Sequence, residues 1–301
     1  MGRFSCDPGT TVAGLAAGLP ATLQQQLIDP LCVAALNTPA DEACGAVFLR
    51  VLKDALFSGA GSSDLLLPKV SLGALFPLPA ARWLEEAGAR IVRGHRVRQL
   101  RPVNGRWEVD GQTFDRVVLA APPLEAARLV RPLKPGWADR AESLRYEPIV
   151  TVYLRLPGVK LPAPMVALSA DGPSAAAQFV FDHGQLQGLP ATRGLMAFVI
   201  SGARPWLDRG QAATEAAVLQ QARRLAGGDL PYGARILQVI AEKRATFRCT
   251  PQSRASRAPM EISRGLRAAG DHVAGPYPAT LEGAVRSGIA AALDSGEPAT
   301  A

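Results

Sequence analysis

Gly265-Leu-Arg-Ala-Ala-Gly-Asp271, followed after a short loop by Pro278-Ala-Thr-Leu-Glu-Gly-Ala-Val-Arg-Ser-Gly288, decides how this chain is read. A short apolar segment ends in Gly270-Asp271, and Thr280 then opens a helix carrying Gly283, Ala284, Ser287, Gly288 and Ala291. Small residues at that spacing share one helical face, so a flat, rigid body can come close to the backbone. The first amides of such a helix lack internal partners and carry partial positive charge. They suit electron-rich oxygens. A small-xxx-small face alone more often means tight packing on a neighbouring helix. The joined string, with Gly-Asp ahead of it, favours a bound ligand instead.

Working outward, 301 residues suffice for a substantial core in two domains or one elaborate one. Apolar residues make up 48% and charged residues 20%. No run approaches the roughly 18 apolar residues of a spanning helix. Met1-Gly-Arg-Phe-Ser-Cys6 has no apolar core of a secretory leader, so the expected location is cytoplasmic, at most peripheral on a membrane surface. Net charge is +7, and five arginines crowd between Arg90 and Arg101. They alternate with Ile91, Val92, Val97 and Leu100, as strands with one wet face do. With no zinc spacing, aromatic platform or helix-turn-helix pattern, a nucleic-acid partner is not expected. Cys6, Cys32, Cys44 and Cys249 form no Cys-x-x-Cys and read as reduced thiols. His95, His183 and His272 have no ligand spacing, and no metal site is expected.

The coarse element reading runs as helices, a hairpin-bearing sheet, a second sheet, and a return to strand and helix. Residues 20–57 read as helical, with Thr38-Pro39-Ala40-Asp41 as a helix start and Val47, Phe48, Val51, Leu52, Ala55 and Leu56 as its apolar face. Pro79 to Gly88 bounds another helix. Ile91-Val92, Val97 to Leu100, Trp107 to Val109 and Arg116 to Ala120 read as strands, with Asn104-Gly105 as a tight turn. Further strands are expected at 149–156, 178–181, 195–201 and 235–241, with a helix from Gln211 to Leu225.

The C-terminal string resembles the flavin-binding segment of the amine oxidase and phytoene desaturase superfamily. The segment from Gly88 through Val97 to Val117-Val-Leu-Ala-Ala-Pro-Pro123 resembles the middle portion of its FAD domain. Pro30-Leu-Cys-Val-Ala-Ala-Leu-Asn-Thr-Pro39, Val47-Phe-Leu-Arg-Val-Leu52, Asp64-Leu-Leu-Leu-Pro68 and Tyr146-Glu-Pro-Ile-Val-Thr-Val-Tyr153 are similar to the hydroxysqualene dehydroxylase branch. The likeness runs from about Thr11 to Ala292 and implies a mixed α/β, two-domain FAD-dependent amine-oxidase-like fold.

The family opens with a strand, Gly-x-Gly-x-x-Gly and a helix. The nearest string here, Gly59-Ala-Gly-Ser-Ser-Asp64, follows a helix and places a carboxylate where phosphate would sit. An FAD domain incomplete at its N-terminus is therefore expected. His272 also stands where family members often carry an aromatic residue. The implied division is 1–87, the helical part of a substrate domain; 88–143, the middle of the FAD domain; 144–255, a β-rich substrate domain; 256–295, the C-terminal FAD segment; and 296–301, a disordered tail.

The resemblance implies FAD as cofactor and a C30 isoprenoid lipid as substrate, hydroxysqualene losing its hydroxyl to give squalene in bacterial hopanoid synthesis. It implies that Val97 contacts the adenine through its backbone, and that Gly270, Asp271, Thr280, Leu281, Glu282, Gly283 and Ala284 meet the ribityl-diphosphate and the flavin. Leu65 to Leu67, Leu72, Leu75 and Phe76 are candidates for an apolar substrate tunnel. A proton donor is needed to release the hydroxyl, and Tyr146, Glu147, Asp182 and His183, beside apolar strands, are its candidates. Two alternatives stay open: a desaturase or amine oxidase running the flavin oxidatively, and a non-catalytic or partner-binding chain that needs a second polypeptide carrying the glycine-rich unit.

Overall fold

The computed structural model describes residues 4–169 and 175–293, so the expected tail at 296–301 lies outside the described residues. Its strands are β1 (Leu100–Val103), β2 (Arg106–Val109), β3 (Gln112–Phe114) and β4 (Val117–Leu119). Next come β5 (Tyr146–Arg155), β6 (Met165–Ala167), β7 (Phe179–Asp182) and β8 (Leu195–Ile200). β9 (Arg235–Phe247), β10 (Glu261–Ser263) and β11 (Leu266–Ala268) complete the set. Two compact units form: residues 1–62, 96–147 and 244–301 make one, and residues 63–95 and 148–243 the other. The fold is mixed α/β.

In the first unit β1, β2 and β3 form an antiparallel meander. Asn104 (φ 51°) and Gly105 (φ 76°) both sit in the left-handed region, as the expected tight turn demands. Asp110 (φ 47°) and Gly111 (φ 85°) repeat the device before β3. β3 went unread, although Asp-Gly is itself a hairpin signal. The second sheet has the order β10-β11-β4, with β11 parallel to β4 and Arg267 opposite Val118. Leu119, Leu266 and Ala268 turn into a core closed by helices Pro123–Val130 and Pro135–Glu142, which supply Ala126, Ala127, Val130 and Ala138. Trp107 and Trp137 are buried there, and their indole N–H groups donate to the carbonyls of Arg264 (3.1 Å) and Pro259 (2.8 Å).

A separate cluster in this unit gathers Val12, Cys32, Leu36, Val47, Phe48 and Cys249 around the helix Gly45–Leu56. Burial pushes the Cys32 and Cys249 thiols up to about 12. Among the described residues no helix is long and apolar enough to cross a membrane.

The second unit holds most of the five-stranded sheet β6-β7-β8-β5-β9, the boundary falling inside β5 and β9. β5 alternates buried and half-buried residues, and Val150, Val152, Leu154, Met196, Phe198 and Ile200 fill its core. Helix Gln211–Leu225 has the expected bounds and adds Ala217, Val218 and Ala222.

Three expectations are corrected. Thr38-Pro39-Ala40-Asp41 starts no helix: helix Asp29–Leu36 ends at left-handed Asn37 (φ 47°), and the next begins only at Gly45. The Thr38 hydroxyl is used across the fold, donating to the Leu36 carbonyl (3.0 Å) and accepting from the Cys249 amide (3.0 Å). Residues 97–99 join no strand, because the Arg98 and Gln99 amides donate to the Asp110 carboxylate at 3.0 and 2.8 Å. Ile91-Val92 is no strand either, since no neighbouring strand pairs with it among the described residues.

Candidate cofactor site

The site starts where β11 runs out. The Ala269 amide donates to the Leu119 carbonyl (3.0 Å), and Gly270 follows with φ 149°, a conformation that favours glycine. Its amide donates to Ser287 Oγ (2.7 Å), whose own hydroxyl donates to the Ala284 carbonyl (2.8 Å). The carboxyl end of a parallel strand is thus tied to the small-residue face of the helix Leu281–Leu293. Ligands of parallel α/β sheets sit beyond such carboxyl ends. A Cβ on Gly270 would lie 2.6 Å from the His272 ring. Gly270→Ala is expected to cost about 2 kcal/mol or more, from backbone strain and a displaced histidine. A urea midpoint unchanged at constant m-value would contradict this.

Thr280 caps the helix: its Oγ1 accepts from the Gly283 amide (3.1 Å) and its carbonyl from the Ala284 amide (3.0 Å). The Leu281 and Glu282 amides meet no acceptor among the described residues. They are two donors at a positive helix end, open to a ligand. A Cβ on Gly283 would come within 3.1 Å of the Pro278 carbonyl and 3.3 Å of Tyr277 Cβ, so this glycine answers to its own loop as well. Asp271, Gly283 and Ser287 line one cavity of about 300 Å³, together with Arg50, Arg257, Tyr277 and Arg286.

Arg257 organises that cavity and was not singled out from the sequence. It is 3% exposed, and its guanidinium donates to the carbonyls of Asp271 (3.3 Å), Tyr277 (3.0 Å) and Gly275 while lying over the Phe247 ring. One buried cation thereby holds both ends and the middle of the loop after Gly270. Tyr277 is fixed in turn: its hydroxyl donates to Asp54 (2.8 Å) and accepts from Arg50 (2.7 Å).

Burial raises the pKa of Asp271. His272, 3% exposed, is pushed down from 6.5 to about 4 by burial and by the Arg257 charge, so it is a neutral imidazole at pH 7. Its folded pKa lies below its unfolded one, so the unfolded chain binds the extra proton. The contribution of His272 is complete above pH 6.5 and is lost as pH falls toward 4. That loss is about 3 kcal/mol at most, and Asp271, shifted the opposite way, offsets part of it. His272→Phe should flatten the fall in urea midpoint between neutral pH and the acid end of that window. An equal slope in both proteins would refute the assignment.

The other sequence candidates are dispersed. Val97 packs against the first unit's core, and its carbonyl already accepts from Arg128 (2.7 Å). Tyr146 is half-buried, and burial, then the Asp271 charge, pushes its phenol up to about 12. Glu147 is 3% exposed, with its carboxylate 3.3 Å from Arg248 Nε. Asp182 belongs to the second unit, where its carboxylate accepts from the Gln185 and Leu161 amides and from the Gln185 side chain. His183, beside the Tyr153 ring, has its pKa lowered by burial. Leu65, Leu66, Leu72, Leu75 and Phe76 are 55–94% exposed, so they do not enclose a tunnel within that unit.

A larger cleft, about 1090 Å³, is lined by Arg116, Val117, Gly265 and Arg267. It lies at the amino ends of β4 and β11, the wrong end for a ligand of a parallel sheet. The carboxyl-end site is the one whose donors fit a flavin. Two free helix amides match electron-rich ring oxygens, an acid stands at the strand end, and a glycine gives close approach.

The family model described as flavin containing amine oxidoreductase matches residues 15–294. The chain is similar to a hydroxysqualene dehydroxylase of Rhodopseudomonas palustris, 29% identical over 297 residues, covering 95% of this chain and 65% of that one. It is equally similar to a hydroxysqualene dehydroxylase of Sinorhizobium fredii, 29% identical over 283 residues, covering 90% and 62%. The chain therefore spans less than two thirds of the length of these relatives. Among solved structures it shares its fold with an oxidoreductase from Methanosarcina mazei, with TM-score 0.67 and 15% identity over 94% of this chain and 67% of that one. With the parallel strand, the Gly270-Asp271 turn and the small-faced helix all inside the matched residues, the chain belongs to the flavin containing amine oxidoreductase family, and its cofactor is FAD.

Proposed function

We propose that this chain carries the flavin end and substrate-facing parts of an FAD-dependent enzyme that converts hydroxysqualene to squalene in hopanoid synthesis. The observation that supports it most is the match to relatives named hydroxysqualene dehydroxylase over 95% and 90% of the chain, strand-turn-helix site included. In this reading Gly270, Asp271 and residues Thr280 to Ala284 hold the ribityl and ring end of FAD, and Val97 meets the adenine. Residues 88–143 and 256–295 belong to the FAD domain, and residues 1–87 and 144–255 to the substrate domain. A C30 lipid substrate also favours a peripheral contact with the inner face of the membrane.

The substrate's hydroxyl is allylic. Protonating its oxygen lets the C–O bond break, releasing water and leaving a delocalised cation. FAD, when bound and reduced, supplies the hydride that this carbon then gains. The chain's part is to hold the carbon against the ring, exclude water and deliver the proton. Of the four candidates Tyr146 is the one within electrostatic reach of Asp271, and its phenol holds a proton throughout neutral pH, although burial makes it a weaker acid than a free phenol. Glu147 and Asp182 are engaged elsewhere. In the protein completed with the relative's unmatched segment, Tyr146→Phe should lower kcat about a hundredfold or more with FAD content unchanged. Equal kcat would remove Tyr146 from the mechanism.

Product identity tests the reaction. Hydroxysqualene, incubated with the completed protein and a flavin reductant, should yield squalene. A polyene or an aldehyde would instead favour a desaturase or amine oxidase on the same scaffold.

A further inference from the structure

Three guanidiniums line the cavity of about 300 Å³ beyond Gly270, and they differ in how their charge is met. Arg50 pairs with Asp54 at 2.8 Å, and Arg286 pairs with Glu282 one helical turn away. Both pairs are open to water, which screens what charge they leave. Arg257 is met differently. Its two ends donate to neutral carbonyls, and no carboxylate forms an ion pair with it among the described residues. Its Nε, sealed from solvent, meets no acceptor. The Phe247 ring centroid lies 5.2 Å from the guanidinium carbon and offsets part of the charge. Burial lowers the pKa of Arg257, but a guanidinium stays protonated at neutral pH.

Keeping a lone cation out of water is costly. Neutral donors would satisfy the same carbonyls at less expense, so bracing the loop does not by itself call for a full charge. Asp271 is within electrostatic reach, yet burial outweighs Arg257 in setting that carboxyl's pKa, so the two are loosely coupled. The helix end with the free Leu281 and Glu282 amides adds partial charge of the same positive sign. The wall of this cavity therefore favours a ligand group that carries negative charge.

We propose that Arg257 biases this site toward the reduced form of FAD, its buried charge holding the ring more tightly once electrons have been added. The proposal rests on the flavin reading given above. Two electrons and one proton from the reductant turn a neutral oxidised ring into a reduced ring with one negative charge. A fixed cation in a poorly solvated wall favours that charged form and so raises the midpoint potential. Loading by the reductant becomes easier. The hydride is still delivered, because its acceptor in the proposed reaction is a carbon cation. Arg257 does this by its field across the cavity wall, so it is a positioning residue for the reaction.

The test is the midpoint potential of FAD in the completed protein, followed by its visible spectrum during titration with dithionite. Two variants separate charge from hydrogen bonding. Arg257→Lys keeps the charge and loses the planar fork. Its urea midpoint should fall, while the ratio of reduced to oxidised FAD affinity stays within about twofold of wild type. Arg257→Gln keeps neutral donors and loses the charge. That ratio should then drop about tenfold or more, lowering the potential by about 30 mV per decade for a two-electron couple. A glutamine variant with the wild-type potential, or a lysine variant that falls as far as the glutamine one, would overturn the proposal and leave Arg257 a brace for the loop. If the glutamine variant does not fold, wild type decides. Reduced FAD should raise its urea midpoint further than oxidised FAD at equal free concentration, and an equal or smaller rise would overturn the proposal. A wild-type protein that takes up no FAD refutes the flavin reading itself, and the proposal with it.

Discussion

Purified by itself, the 301-residue chain is expected to be colourless and inactive on hydroxysqualene. In the proposed reading the described residues offer FAD a strand end, an acid and two free helix amides, all for its ribityl and ring end. Gly59 to Asp64, the nearest glycine-rich string, follows the helix Gly45–Leu56 and forms turns rather than a strand-to-helix junction. Hydrogen bonds to charged groups contribute roughly 1.5–3 kcal/mol each. Two of them absent at the diphosphate weaken FAD by a few powers of ten, since about 1.4 kcal/mol is one decade. Visible absorption of the purified chain checks this. A yellow preparation that turns over hydroxysqualene without any added polypeptide would show that the diphosphate is held by groups other than a glycine-rich turn.

The second large effect is expected at Arg257. Arg257→Met removes the donors that satisfy the carbonyls of Asp271, Gly275 and Tyr277. Unsatisfied buried acceptors cost about 1–3 kcal/mol each. Relief from keeping a cation buried gives part of that back. The net expectation is a loss of about 3–5 kcal/mol, a large share of a domain's usual stability. Arg257→Lys should recover only part of it, because an ammonium cannot span three carbonyls as a planar fork does. Urea unfolding at constant m-value measures both variants. A midpoint for the methionine variant equal to wild type would mean that the 271–277 loop holds itself.

The sequence was most legible where local chemistry alone decides the conformation. Asn104-Gly105 fixed its turn because few other residues adopt two successive left-handed conformations. The helix Gln211–Leu225 matched its periodicity, and Thr280 caps the helix it was expected to open. Reading failed where a distant partner intervened. Thr38 carries every local mark of a helix cap, but Cys249 takes its hydroxyl from more than two hundred residues away in the chain. Asp110 draws the Arg98 and Gln99 amides out of any strand. Arg257 leaves no trace in periodicity, because its partners are backbone carbonyls that any residue supplies.

One substitution tests the central claim, that the start of the helix Leu281–Leu293 meets the flavin. Leu281 occupies the first helical position, where proline is well tolerated, so Leu281→Pro removes one free amide and keeps the helix. Its exposed side chain, 70% accessible, contributes little to the fold. FAD affinity is to be measured by titration in the completed protein, with circular dichroism confirming that the helix persists. The expected result is FAD bound about ten- to a hundredfold more weakly than in wild type, the worth of one hydrogen bond to a polarised ring oxygen. Equal affinity and an unchanged flavin spectrum would contradict the placement of the cofactor at this helix.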